Sequence, residues 1–194
     1  MTIGVYKGIS KYELNKERIT SNGKHYNLNH NKDLLISMKY KGPNVNNGKV
    51  NSQGWERNSN RYFKELQQKH PEYFDKINTI KIDRKEQPIV NKTYLKYFPE
   101  YKEYVNEKLV HHHIGGDGQA VALPQSIHLG SGEIHNVEKD LKIVENGKKF
   151  SNECKKLCEK NNNLYSKNSE ELKKELMKSK NIEVKKDNSF TYQR

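Results

Sequence analysis

Five of the eight histidines in this 194-residue chain lie within residues 110–136. Three are consecutive and two follow with glycines between them, in the order His111, His112, His113, His128 and His135. Neutral imidazole is a common ligand of divalent transition metals. Three imidazoles around an ion leave a coordination position for water or a phosphate oxygen, and a fourth can accept a proton from the attacking water. The cluster therefore predicts a metal site suited to phosphodiester hydrolysis.

The elements around these histidines can be predicted from residue type. The segment "EKLVHHHI" is typical of a strand, "GGDGQ" of a tight turn and "AVALP" of a second strand, and together they predict a β-hairpin. The following "QSIHLGSGEIHNVEKDLKIV" has helical character that Gly130 and Gly132 interrupt. A strand, a turn, a strand and a helix, with histidines on the first strand and on the helix, form the compact ββα-metal layout.

Strand geometry separates the roles of the consecutive histidines. Adjacent side chains in a strand point to opposite faces. We therefore expect His112 and His113 to have different roles, one on the metal and one towards the water. His111 would share the face of His113.

The two later histidines can meet at one ion only if the chain bends between them. His128 and His135 are seven residues apart. On an unbroken helix that spacing is a rise of ~10.5 Å, too far for two ligands that each lie ~2 Å from the ion. Glycine readily adopts the backbone conformations of a sharp bend. We therefore expect Gly130 and Gly132 to fold the chain back.

The stretch "HHIGGDGQAVALPQSIHLGSGEIH" resembles the LHH group of the HNH/endonuclease VII superfamily, nuclease domains found at the C-termini of bacterial polymorphic toxins. The shared features are a His-His-Ile-Gly strand end, a hairpin, a histidine at a helix start and a glycine-spaced final histidine. The resemblance extends upstream and covers about residues 50–140. It implies an α+β fold, in which a small β-hairpin plus helix metal-binding core (ββα-metal) is embedded in a mostly helical domain.

The resemblance also implies roles for individual residues. His112, His128 and His135 would bind one divalent ion (Zn²⁺, Mg²⁺, Mn²⁺ or Ni²⁺), and His113 would be the general base. The chain departs from the group at His111, where the group usually has leucine. In a register shifted by one residue, His111 is the alternative ligand and His112 the base. We prefer the first register because it alone aligns the downstream residues without a gap.

Charge is unevenly distributed along the chain, whose formal net charge is +12. Residues 1–50 carry 9 Lys or Arg against 3 Asp or Glu, residues 51–135 carry 12 against 11, and residues 136–194 carry 15 against 10. Basic flanks suit a polyanion such as nucleic acid, although lysine-rich helices are also often merely solvated. Arg57 and Arg61, one helical turn apart, are candidate phosphate contacts or, equally, part of a solvated face.

The composition and the motifs divide the chain into three predicted parts. Residues 1–50 form a basic N-terminal segment of unknown role, residues 51–150 the HNH-like nuclease domain, and residues 151–194 a Lys-rich helical C-terminal tail. No apolar run approaches the ~18 residues that span a bilayer. The first residues also lack the charged-then-apolar pattern of a signal peptide.

Several local features have structural interpretations. Asn22-Gly23 predicts a hairpin turn, and a helix that starts at Trp55 would bury an apolar face and end before Pro71. Trp55 is interpreted as a core residue, and Cys154 and Cys158 as ordinary helix residues. Ser169 is a candidate N-cap.

These features favour a metal-dependent endonuclease, a DNase, that is secreted or delivered into a target bacterial cell as an antibacterial toxin. Its partners would be DNA, or RNA, and an acidic immunity protein, because the producing cell must neutralise a basic nuclease. One alternative is an RNase with the same metal site. Another is a non-catalytic nucleic-acid-binding protein with a structural metal, whose site should be closed by four ligands.

Overall fold

The computed structural model of the chain describes residues 6, 8–43, 48–128 and 133–190, and of residues 182–190 the backbone only. In chain order its helices and strands are α1 (Lys11–Asn15), β1 (Arg18–Ile19), β2 (His25–Tyr26), β3 (Ile36–Ser37), α2 (Ser59–Lys69), α3 (Lys76–Asp83), α4 (Lys92–Tyr97), β4 (Leu109–His113), β5 (Gln119–Pro124), α5 (Gln125–His128), α6 (Glu133–Asp140), α7 (Ile143–Lys160) and α8 (Ser169–Phe190). Among the described residues, no helix is both long and apolar enough to cross a membrane.

The predicted hairpin forms the centre of the fold. Strands β4 and β5 pair antiparallel, with His112 opposite Val121 and His113 opposite Ala120. On its other edge β5 pairs with β3, so the sheet order is β3-β5-β4. The middle of β5 is apolar and buried throughout, as expected for a strand covered on both faces. The α+β fold class, with a small hairpin and helix core in a mostly helical chain, is confirmed.

The hairpin turn requires glycine at Gly115. Its φ is +61°, a left-handed conformation that costs glycine little. A Cβ there would lie 2.9 Å from Cγ2 of Ile143, at the start of α7. The turn and the first residues of α7 therefore pack closely, which holds the strand end near His113 against this helix.

The main hydrophobic cluster lies between the sheet and the helices that precede it. Helix α2 buries Tyr62, Phe63 and Leu66, the face that the sequence predicts. The helix begins at Ser59, later than the expected start at Trp55. The reason is that Asn58 caps it, with Oδ1 accepting a hydrogen bond from the backbone N–H of Arg61 at 3.0 Å.

A second cluster joins the chain before α2 to the last two helices. It contains Tyr40, Trp55, Cys154, Cys158, Leu164 and Leu172. The indole N–H of Trp55 donates a hydrogen bond to Oγ of Ser151 at 2.7 Å. Trp55 is therefore a core residue, as interpreted from the sequence, and both cysteines are free and buried on α7.

Two local predictions have different outcomes. The hairpin around Asn22-Gly23 is present, since Arg18 pairs with Tyr26 across β1 and β2. The N-cap of α8 is Asn168 and not Ser169. Oδ1 of Asn168 accepts from the N–H of Glu171 at 3.0 Å, and the Glu171 carboxylate accepts from the N–H of Asn168 at 2.8 Å, which is a capping box.

The described residues of the three predicted parts contact one another. Ile36, from the first part, pairs with Ala120 in the sheet, and Cys154, from the last, packs in the same cluster as Trp55. The division at residues 50 and 150 stays a prediction about folding units.

Candidate metal centre

Three of the predicted site histidines converge in the structure. His112 lies on β4, His128 ends α5 and His135 lies in the first turn of α6. One ring nitrogen of each lies within 4.8 Å of the others. The ring centroids are 5.3 Å apart for His112 and His128, 4.9 Å for His112 and His135, and 4.8 Å for His128 and His135. Three nitrogens this close together can share one ion.

His128 lies at the end of α5, and His135 lies in the first turn of α6. Helix α5 follows β5 directly and ends at His128, and α6 starts at Glu133. Gly130 and Gly132, the predicted bend, lie outside the described residues.

Glu138 is a site residue that the sequence reasoning missed. Its side chain is fully buried, and Oε1 accepts hydrogen bonds from Nε2 of His112 at 2.9 Å and from the N–H of Gly115 at 3.0 Å. Oε2 lies 4.0 Å from Nδ1 of His135. Glu138 follows His135 by three residues, so the two share a helix face. That spacing was the available signal.

Three buried polar atoms at the cluster have no hydrogen-bond partner among the described residues. They are Nδ1 of His112, Nδ1 of His128 and Oε2 of Glu138. An unsatisfied buried polar atom costs about 1–3 kcal/mol, and an ion bound by the two histidine nitrogens would compensate for their cost. His112 also has its other nitrogen on a carboxylate, the arrangement that commonly orients metal-binding histidines. The donor set therefore fits a divalent transition metal ion.

Burial keeps the imidazoles in the form that binds metals. It lowers the pKa of His111 and of His128 to about 3, with the neighbouring histidines adding to the effect. It also lowers the pKa of His112, far below the ordinary histidine value. These rings are therefore neutral at pH 7. Burial raises the pKa of Glu138 to about 8, against the opposing hydrogen bond from Gly115.

His113 has a different environment from the three convergent histidines. Its Nδ1 donates a hydrogen bond to the carbonyl oxygen of Asp117 at 2.8 Å, which leaves Nε2 as the unprotonated nitrogen. Nε2 has no hydrogen-bond partner among the described residues. Burial lowers the pKa of His113, while the carbonyls of Asp117 and Glu56 act in the opposite direction. The ring is therefore a neutral base with a defined tautomer.

His111 lies beside His113 on the same face of β4, with their ring centroids 5.4 Å apart. It also contacts the ring of Tyr62, at 5.8 Å between centroids. Within the described part of the chain, the convergent group contains His112 and does not contain His111. The geometry thus favours the first register, in which His112 is the ligand, over the shifted register, in which His111 is the ligand.

A cavity of about 480 Å³ opens at the cluster, lined by His113, His128, His135 and Arg57 among others. Arg57 is exposed at its rim. Arg61 is not among the described residues that line the cavity. Its guanidinium donates to the carboxylates of Glu56 and Glu65 and to a backbone carbonyl. Of the two candidate phosphate contacts, the structure brings only Arg57 to the site.

Comparison with protein-family models matches residues 32–136 to a family described as HNH/Endo VII superfamily nuclease toxin with a HHH motif. The matched range contains the hairpin, the run His111–His113 and all three convergent histidines. The comparisons with curated proteins and with solved structures found no match. Because the match spans more than half of the chain and includes the whole histidine cluster, the protein belongs to the nuclease toxins of the HNH/Endo VII superfamily with a HHH motif.

Proposed function

We propose that this nuclease toxin is a metal-dependent endonuclease that hydrolyses the phosphodiester bonds of DNA inside a target bacterial cell. The observation that carries the proposal is the convergence of three imidazoles beside a fourth imidazole, His113, that lines the same cavity. A structural site closed by four ligands is the less suitable interpretation, because three ligand atoms converge among the described residues.

His112, His128 and His135 would hold one divalent ion, with Zn²⁺, Mg²⁺, Mn²⁺ and Ni²⁺ as candidates. When bound, the ion supplies Lewis-acid stabilisation of the charge that builds on the phosphate and on the leaving oxygen. Glu138 fixes the ring of His112 by accepting from its Nε2, so the remaining nitrogen of His112 is the one offered to the ion.

His113 would act as the general base. The hydrogen bond from its Nδ1 to the carbonyl of Asp117 keeps the proton on that nitrogen. Nε2 would therefore be the nitrogen that accepts the proton of the attacking water. Arg57, exposed at the cavity rim, would donate charge-assisted hydrogen bonds to the phosphate oxygens and orient the scissile group.

The proposed activity is tested by incubating the purified chain with plasmid DNA and with RNA, separately with Mg²⁺, Mn²⁺, Ni²⁺ and Zn²⁺, and with EDTA as the control. We expect nicked and linear DNA with at least one ion and intact DNA in EDTA. Cleavage of RNA alone would make the chain an RNase with the same site. If neither substrate is cut while a metal raises the melting temperature, a structural metal in a nucleic-acid-binding protein is the better account.

Replacement of Glu138 by glutamine is expected to weaken metal binding by about 10–100-fold, the usual cost of losing a carboxylate that orients a histidine ligand. The amide keeps the size of the side chain, but unlike the carboxyl group it cannot ionise when a positively charged ion binds beside it. Asp140→Asn is the matched control, because Asp140 is an exposed acid on the same helix. Calorimetric titration with Ni²⁺ measures both affinities. Equal affinities for the two variants would show that His112 does not depend on the carboxylate.

A nuclease toxin also needs a neutralising partner in the cell that makes it. With a formal net charge of +12, the chain would be recognised fastest by an acidic protein, since complementary charge steers association. We propose an acidic immunity protein in this role.

A further inference from the structure

A second cavity adjoins the metal cavity. Its volume is about 360 Å³, and Ser52 and Gln53 line both cavities. One face of α7 forms much of its wall and contributes Lys148, Ser151, Asn152 and Lys155. Ser52 and Gln53 therefore lie between the metal cavity and a helix face that carries two lysines.

Close packing fixes α7 beside the metal cavity. A Cβ on Gly147 would lie 2.8 Å from the carbonyl oxygen of Gly115, so the glycine lets the helix backbone touch the hairpin turn. One turn later, Ser151 accepts from the indole of Trp55 and donates to Oε1 of Gln53 at 3.1 Å. These contacts place Lys148 and Lys155 at a defined distance from the turn that follows His113.

The two lysines have the spacing and freedom to bind a nucleic-acid backbone. Seven residues on a helix correspond to two turns and ~10.5 Å, and phosphates recur every ~3.4 Å of axis along one strand. Because that rise is several times the phosphate spacing along the DNA axis, Lys148 and Lys155 lie far enough apart to contact two different phosphates of one strand. Lys148 is exposed and forms no ion pair among the described residues. Lys155 pairs with Glu159 at 3.8 Å, with both side chains about half exposed, and such pairs are weak.

The charge distribution favours a basic binding surface outside the nuclease core. Residues 51–135, which hold Arg57 and most of the site, carry 12 Lys or Arg against 11 Asp or Glu. Near-neutral charge in this part supplies little phosphate neutralisation, which dominates affinity for nucleic acid. Helix α7 belongs to the basic last part of the chain and lies directly beside the cavity.

We propose that the DNA strand cut in the metal cavity continues over Ser52 and Gln53 and along α7, where Lys148 and Lys155 each neutralise one backbone phosphate. This inference rests on the proposed function and names the surface that binds the substrate of that site.

The test is the salt dependence of binding to a short DNA duplex, measured by fluorescence anisotropy in EDTA so that no cleavage occurs. We expect the double variant Lys148→Gln/Lys155→Gln to reduce the magnitude of the slope of log K against log salt concentration by about 2, one for each lost phosphate contact. The variant Lys148→Arg/Lys155→Arg is expected to keep the wild-type slope, because it keeps both charges.

The matched control is Lys149→Gln/Lys156→Gln. These lysines lie one residue further along α7, so their side chains point about 100° away around the helix while the change in net charge is the same. We expect the control to keep the wild-type slope. Equal reductions in the two glutamine pairs would overturn the proposed path, because they would indicate diffuse attraction. If the wild-type chain fails to bind DNA even at low salt, the proposed function itself is wrong.

Discussion

Replacement of His113 by alanine is expected to reduce DNA cleavage by about 10²–10⁴-fold, the usual contribution of a general base. Metal affinity and the melting temperature should stay close to those of the unchanged protein. The reason is that His113 is outside the convergent group of ring nitrogens, and its main hydrogen bond is to the carbonyl of Asp117. Single-turnover cleavage of plasmid DNA and calorimetric titration with metal measure the two properties separately.

The neighbouring histidines provide the control for this prediction. His112→Ala should remove most of the metal affinity, because it deletes a convergent nitrogen and leaves the buried Glu138 without one of its two donors. His111→Ala should keep that affinity. The opposite result, in which His111→Ala removes metal binding and His112→Ala spares it, would show that the register of the two roles is shifted by one residue.

Removal of residues 151–194 is expected to unfold much of the protein. The deletion takes four of the six buried members from the second hydrophobic cluster and leaves Tyr40 and Trp55 exposed. The two buried leucines contribute ~1.5–3 kcal/mol each, and the two cysteines and the partly buried Leu157, Tyr165 and Leu176 add to that sum. A domain has only ~5–15 kcal/mol of net stability. The stability that the deletion removes is therefore comparable with the net stability of the whole domain. Thermal unfolding followed by circular dichroism should show a much lower melting temperature or no cooperative transition.

A shorter truncation separates packing from charge. A chain that ends at residue 181 keeps every member of the second cluster and should melt like the full chain. The sequence alone suggested that the Lys-rich tail is a separate arm for polyanions, in which case residues 1–150 would fold normally and only bind DNA less well. A cooperative, unchanged melting curve for residues 1–150 would support that arm and contradict the packing argument.

The hairpin and the convergent histidines could be predicted because their signals are local. Strand-like segments on both sides of a glycine turn indicate β4 and β5, and the alternation of side chains along a strand separates His112 from His113. The family resemblance added the expectation that His128 and His135 join them. These features depend on short spacings, which a sequence shows directly.

The rest depends on contacts between distant parts of the chain. The pairing of Ile36 with Ala120 and the bond from Trp55 to Ser151 join residues more than eighty positions apart, and no local pattern indicates either. Glu138 resembles any other acid of a charged helix. Only the orientation of α6 in the fold shows that this side chain faces His112. The cap of α8 differs from the prediction by one residue, because Asn and Ser are both good caps and both occur there.

The two thiols on α7 bear on how the fold would respond to oxidising conditions. Burial raises the pKa of Cys158 to about 11 and raises the pKa of Cys154 as well. Both groups therefore stay protonated at neutral pH, and the thiolate rather than the thiol is the form that oxidants and disulfides attack. The packing and stability of the fold around these thiols should consequently be the same under oxidising and reducing conditions. A toxin that leaves a reducing cytosol, crosses an oxidising space and enters another cytosol would keep the same packing throughout.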